Sequence, residues 1–299
     1  MQALVVGESL VDIVTRPGEE PVTYPGGSPA NVAIGLARLG RDVQLLTWLG
    51  EDGNGDLVRD HLESSRVRIA SGSQRAEHTS TASATIAEDG SASYVFDLTI
   101  DYPEHRVSDD TVVVHVGSIG AVLEPGATKV ATLLGSVRHR AVITYDPNLR
   151  PSIMGEPDAV RERIAEIVAI SDVVKVSDED LAWLEPGREP LDVAREWATK
   201  GPALVAVTLG SEGSLAVTSG GEHTHVEAPR VNVADTVGAG DSFMGGLIDG
   251  LWSAGLLGAD KRQAIGEISS SALATLLQQS ARIAAITVSR PGANPPTRL

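Results

Sequence analysis

Asp235-Thr-Val-Gly238-Ala-Gly240-Asp-Ser-Phe-Met-Gly-Gly-Leu247 decides how the rest of the chain is read. Its front half is too rich in glycine for a helix interior. Phe243, Met244, Leu247, Ile248 and Leu251 then share one face at helical spacing, so a helix is expected to begin near Gly240. A tight turn therefore opens straight into a helix N-terminus. There the N–H groups of Gly238, Ala239 and Gly240 lack carbonyl partners and the helix dipole adds partial positive charge, a combination that receives an anion such as phosphate. Asp241 stands in the same place. A carboxylate set against an anion site is ill suited to bind the anion, but well suited to take a proton from a hydroxyl attacking phosphorus. The plainer reading of the same residues is a capped helix, with Asp241 or Ser242 as N-cap. The stretch lacks the Gly-Lys-Ser/Thr of a P-loop, the third glycine of a dinucleotide fingerprint and the closing glycine of a nucleophile elbow.

This stretch resembles the C-terminal signature of the ribokinase-like (PfkB) carbohydrate kinases. Gly26-Gly27-Ser28-Pro29-Ala30-Asn31-Val32-Ala33, followed by Gly40 and Gly50, is similar to that family's N-terminal signature. The resemblance implies an anion hole made by the amides of Gly238, Ala239 and Gly240, with Asp241 as the catalytic base. It implies a sugar held by Asp12, Gly27, Ser28 and Asn31 beside Asp241, and ATP with Mg²⁺ as the phosphoryl donor. The implied fold is a single ribokinase-like α/β domain over residues 1–299, a doubly wound sheet carrying a small β-sheet lid from about residues 10–25 and 75–105.

Composition sets outer bounds. With 299 residues the chain can bury a substantial core. Its 24 basic and 40 acidic residues give a formal charge of −16, which argues against nucleic acid or an anionic membrane as partner. An acidic protein that binds a polyphosphate needs local positive potential from helix termini, a divalent metal and a few placed arginines. The absence of cysteine excludes disulfides, zinc–thiolate sites and thiol catalysis. The opening Met1-Gln-Ala-Leu-Val-Val-Gly-Glu8 has no basic n-region, and no apolar run approaches the ~18 residues of a membrane span, so a cytoplasmic enzyme is expected.

Along the chain, Ala3 to Val6 reads as a first buried strand, and Glu8 to Asp12 breaks the apolar pattern to deliver a carboxylate just past it. Pro29 to Leu39 reads as a helix apolar on most sides, with Ser28 as a plausible cap. Val43 to Leu49 reads as a strand and Asp52 to Ser64 as a helix. From Thr79 to Phe96, small residues alternate about Glu88-Asp-Gly90, which is a hairpin signature. It belongs either to a lid that also joins a homodimer, as the resemblance implies, or to the main sheet. Val112–Val116, Ala141–Tyr145, Asp172–Val176 and Leu204–Thr208 are continuous apolar runs separated by helical stretches such as Pro157–Ile170 and Pro190–Lys200. They read as parallel strands covered on both faces. A second hairpin runs from Leu215 to Val226.

Ligands on such sheets bind beyond the strands' C-terminal ends. There Asp146-Pro-Asn-Leu-Arg150 offers Arg150 to phosphate, and within the family this run looks most like fructokinases and 2-keto-3-deoxygluconate kinases. Lys175-Val-Ser177-Asp-Glu-Asp180 stands where the family commonly has Asn-x-x-Glu near the Mg-nucleotide. The resemblance therefore implies nucleotide contacts at Lys175 and Ser177 and a Mg²⁺ contact at Asp180, with a shorter reach. Thr208, Gly210, Ser211 and Gly213 match the family's nucleotide loop, their glycines allowing close backbone approach to a ligand. Thr287, Arg290 and Gly292, with Asp235 and Val237, match a segment that holds a monovalent cation such as K⁺ in many relatives. Arg75 and Arg106 flank the lid region as candidates for a sugar carboxylate. With two Phe, four Tyr and four Trp to stack a base, a nucleoside is disfavoured as substrate. The rival from another class is a sugar-binding regulator without turnover.

Overall fold

The computed structural model of the protein describes residues 1–87 and 91–298. Its strands are β1 (Gln2–Val6), β2 (Leu10–Thr15), β3 (Val22–Gly26), β4 (Val43–Leu46), β5 (Arg68–Ile69), β6 (Thr81–Ile86), β7 (Ala92–Asp97), β8 (Thr111–Gly117), β9 (Val142–Asp146), β10 (Val173–Ser177), β11 (Leu204–Thr208), β12 (Ser214–Thr218) and β13 (His223–Val226). Its helices are α1 (Ser28–Arg38), α2 (Gly53–Ser64), α3 (Gly126–Val137), α4 (Pro151–Met154), α5 (Pro157–Ile170), α6 (Asp178–Leu184), α7 (Pro190–Ala198), α8 (Ala239–Ser253), α9 (Arg262–Gly266) and α10 (Ser270–Val288). Among the described residues, nine strands form one sheet in the order β13-β12-β11-β10-β9-β8-β1-β4-β5. From β5 to β11 every pairing is parallel, and β12 and β13 close the edge antiparallel. The chain winds from β1 toward β5 and then returns to lay β8 on the other side of β1. The strand order therefore reverses between β1 and β8, where α/β sheets leave a crevice.

Alternation along the buried strands divides the core into two layers. Val113, Val142 and Val173 face Val32 and Leu36 of α1, Met244 and Leu247 of α8 and Leu273 and Leu277 of α10. Val114, Ile143 and Val174 face Leu134 of α3, Ile164 of α5 and Trp197 of α7. Continuous apolar strands are what two covered faces demand. α1 and α8 pack against each other on one side of the sheet, and α10 lies along α8. The long helix α10 has no counterpart in the sequence reading above.

Four strands form a separate sheet in the order β3-β2-β6-β7. Here the structure corrects one expectation: Asp12 lies within strand β2, not in a loop past β1. Leu10, Val11, Ile13 and Val14 supply a strand pattern, and Asp12 shares a face with Leu10 and Val14 as the one exposed residue of the strand. The Thr79–Phe96 hairpin belongs to this second sheet rather than the main one, and its turn at residues 88–90 lies outside the described residues. Registers Asp12↔Tyr24, Asp12↔Ala82 and Ala82↔Phe96, with Val14↔Val22, Val14↔Ala84 and Ala84↔Tyr94, put Tyr24, Phe96, Val22 and Tyr94 on the face that carries Asp12.

Candidate active site

α8 begins at Ala239, and its N-cap is Gly238 in the left-handed region at φ 75°, without a side-chain cap. Neither Asp241 nor Ser242 is therefore the N-cap. Among the described residues the Gly238 and Gly240 N–H groups have no acceptor, and the Ala239 N–H reaches only the Thr236 carbonyl, at 3.3 Å. These amides gather at the positive end of a 15-residue helix. Asp241 lies one residue into the same turn and is 8% exposed.

The carboxylate of Asp241 is gripped from α1. Ser28 Oγ donates to Oδ1 at 2.6 Å and Asn31 Nδ2 donates to Oδ2 at 2.8 Å. Ser28 thus does not cap α1, whose N-cap is Gly27. Its hydroxyl is spent on Asp241 instead. Burial pushes the Asp241 carboxyl up, while the bonds from Ser28 and Asn31 and the charges of Lys175 and Arg150 pull it back. A carboxyl raised yet held ionised by donors is a serviceable proton acceptor.

Across the crevice, Asp12 projects from β2, where loss of surrounding water pushes its carboxyl up and the Arg150 charge pulls part of that back. Arg150 is exposed, and its Nη1 donates to the Leu149 carbonyl. Its charge acts on Asp12, Asp241 and Glu8, so the guanidinium sits among the carboxylates at the sheet's switch point. Glu8 is a crevice residue that the sequence reading does not single out. It is 4% exposed at the end of β1, its Oε2 accepts the Gly120 N–H at 2.9 Å, and burial raises its carboxyl to about 7. Its signal was present, since an acid directly after the Gly7 that ends a buried strand faces the crevice by position alone. Arg75 and Arg106 instead line a recess with Tyr102 and Lys129, apart from Asp12 and Asn31.

At the other end of the sheet, Thr208 closes β11, and Gly210 and Ser211 are exposed beyond it. Gly213 is different. It is buried at φ 103°, and a side chain there would collide with the Val226 carbonyl and the Ala228 amide, so its close approach is to the chain's own hairpin. Ser177 accepts the Asp180 N–H and so caps α6. Asp180 Oδ1 accepts the Leu149 N–H at 3.0 Å, which ties α6 to the Asp146–Arg150 loop. Lys175 is not on the surface: it is 3% exposed, and its Nζ donates to Asp146 Oδ2 at 3.1 Å.

Asp235 closes the turn onto the C-terminal segment. Its Oδ1 accepts the Val237 N–H at 3.0 Å and its Oδ2 the Gly292 N–H at 2.9 Å, and these bonds hold its carboxyl below the usual range. The Thr287 hydroxyl donates to Ser242 Oγ, and the Thr287 and Gly292 carbonyls accept the Arg290 and Asn294 N–H groups. No group of three or more acidic or histidine side chains suited to a metal occurs among the described residues.

Fold and turn together define a ribokinase-like protein, a mainly parallel sheet between helices with a small separate sheet. The chain belongs to the pfkB family of carbohydrate kinases, whose family model matches residues 2–298. It is 34% identical over 273 residues to a fructokinase of Rhizobium leguminosarum bv. trifolii, covering 87% of this chain and 82% of that one. To a fructokinase of Escherichia coli it is 32% identical over 274 residues, 87% of each chain. Among solved structures, a sugar kinase of Pyrococcus horikoshii in complex with ATP superposes with a TM-score of 0.79 at 25% identity, covering 100% of this chain and 96% of that one. No described helix is long and apolar enough to cross a membrane.

Proposed function

We propose that the protein transfers the γ-phosphoryl group of ATP to a primary hydroxyl of a sugar, with fructose as the preferred acceptor. One observation carries this reading: a buried carboxylate, Asp241, oriented by Ser28 and Asn31, stands beside two helix-terminal amides that have no acceptor. Asp241 orients the attacking hydroxyl and takes its proton late, because phosphoryl transfer is loose and places little charge on the nucleophile. The amides of Gly238, Ala239 and Gly240 receive the charge that spreads over the equatorial oxygens. Asp12, Gly27, Ser28 and Asn31 read the sugar hydroxyls, and Tyr24 and Phe96, on the Asp12 face of the small sheet, cover the sugar as a lid. The exposed apolar side chains Val22, Tyr24 and Tyr94 suit the same sheet to a homodimer contact. Fructose is favoured by the two fructokinases at 34% and 32% identity.

ATP lies over the ends of β10 and β11, with Thr208, Gly210 and Ser211 as its contacts, Gly213 and Ser177 shaping that loop, and Arg150 reaching toward the transferred group. The cytoplasm supplies it. Mg²⁺ fits the oxygen atoms here only as an ion held mainly by phosphates and water, with the second oxygen of Asp180 as a protein contact. When bound it neutralises charge on the phosphates. For K⁺, Asp235 and the carbonyls of Val237, Thr287, Arg290 and Gly292 supply oxygen donors of the right kind, although both Asp235 oxygens already accept N–H groups.

A second reading draws on Arg150. An exposed guanidinium whose charge is felt by Asp12 and Asp241 suits an acidic sugar, so 2-keto-3-deoxygluconate is the alternative acceptor. A coupled ADP-release assay over a panel of sugars tests both. Fructose should give the highest kcat/KM. Preference for the acidic sugar replaces the first reading with the second, and no ADP release with any sugar leaves only a binding regulator.

A further inference from the structure

The two glycines of the turn are glycine for different reasons. Gly238 lies at φ 75°, and a Cβ there would come 2.6 Å from Ala293 Cβ. Gly240 has no positive φ: it is the second residue of α8, where any side chain could adopt the backbone conformation. Only one group stands in the way. A Cβ on Gly240 would come 2.8 Å from Lys175 Nζ and 3.9 Å from its Cε, with nothing else within 4 Å.

Lys175 reaches this point by strand alternation. His115 of β8, Thr144 and Asp146 of β9 and Lys175 of β10 all fall on the face that carries α8, as a polar row above the apolar Val113, Val142 and Val173. His115 Nδ1 pairs with Thr144 Oγ1 at 3.0 Å, and burial followed by the Lys175 charge pulls its pKa down to about 3, so it adds no cation. Lys175 is the one buried cation among the described residues. Burial pulls its pKa down, but Asp146, Asp180 and Asp241 outweigh that and raise it above the usual lysine value. Its ammonium has three donors and one protein acceptor, Asp146 Oδ2. An ammonium with donors to spare therefore lies against the Cα of Gly240.

We infer that Lys175, anchored by Asp146, is a positioning residue for phosphoryl transfer: its ammonium packs against Gly240, its charge acts on Asp241, and a side chain at residue 240 would have to push it off Asp146. Its part in turnover rests on the kinase reading given above; its packing against Gly240 does not. The turn thereby has the positive end of a buried ion pair against it, in a protein of net charge −16.

The test has two arms. In the first, melting temperatures of Gly240→Ala, Lys175→Ala and the double variant are compared, with no substrate present. Gly240→Ala should lower the melting temperature clearly in the wild-type background and far less once Lys175 is gone. Additive losses would overturn the packing argument. In the second, Lys175→Met and the charge-balanced pair Lys175→Met with Asp146→Asn are assayed, the pair guarding against misfolding from an orphaned carboxylate. The folded pair should lose about 10- to 100-fold in kcat with KM for ATP nearly unchanged. Wild-type kcat in that pair would overturn the proposal. Failure of the wild-type protein to phosphorylate any sugar would sink the kinase reading, leaving the first arm to decide the packing.

Discussion

Replacing Ser28 by alanine probes the grip on the proton acceptor directly. The Ser28 hydroxyl donates to Asp241 Oδ1 at 2.6 Å, in a place where the carboxylate is 8% exposed. A buried hydrogen bond to a charged group is worth about 1.5–3 kcal/mol. At about 1.4 kcal/mol per pKa unit, losing it raises the Asp241 pKa by roughly 1–2 units. Water entering the vacated space returns part of this, so the lower figure is the firmer expectation. The readout is the acid limb of the kcat/KM profile against pH, because kcat/KM reports groups of the free enzyme, the state in which the Ser28 bond is seen. The limb should move to higher pH in Ser28→Ala. Asn31→Ala, which removes the 2.8 Å bond to the other oxygen, should move it the same way. An acid limb unchanged in both variants would show that Asp241 is not the group that must be ionised, and the assignment of the base would fall.

Asp241→Asn keeps the shape and one acceptor oxygen for the two donors but cannot accept the proton. It should lower kcat by about 10²–10⁴-fold with ATP affinity, measured by calorimetry, nearly intact. Glu8 gives a stability prediction whose sign follows from linkage: its carboxyl holds a proton up to about pH 7 when folded and only to about 4.5 when unfolded. Folding is therefore favoured by this group below pH 4.5, and that advantage is lost as pH rises toward 7, by roughly 3 kcal/mol in all. The melting temperature of wild type relative to Glu8→Gln should fall over that window, and a constant difference from pH 4.5 to 8 would refute it. Asp180→Asn retains an acceptor for the Leu149 N–H but removes the charge, so the Mg²⁺ concentration for half-maximal rate should rise about tenfold with the fold unchanged.

How much of this was legible in the sequence differs from element to element. The turn at Gly238–Asp241 and the helix after it were readable because glycine density followed by helical spacing has few other structural meanings. The parallel strands were readable as β-branched runs buried on both faces. The stretch Glu8 to Asp12 reads as a break in the apolar pattern because one acid interrupts Leu10, Val11, Ile13 and Val14, when Asp12 is the one exposed residue of strand β2. Ser28 and Gly213 were both assigned by what their types commonly do, a cap and a ligand-facing glycine. Their partners, Asp241 and the Val226 carbonyl, are respectively 213 residues away and on the next strand. Lys175 reads as one polar residue among valines, and only the register with β9 and the position of α8 reveal that it lies against the turn. Long-range pairing of this kind leaves no local pattern.

The bond between Ser28 and Asp241 spans 213 residues, and α1, which supplies it, buries ten of its eleven residues, much of that surface against α8. On the ribosome, α1 leaves the tunnel long before α8 exists. At about 5–20 residues per second its apolar sides wait roughly 10–40 s for their cover. Nascent chains of this protein should accordingly be clients of hydrophobe-binding chaperones until the last third is made, and slowing elongation between the two helices should lengthen that dependence.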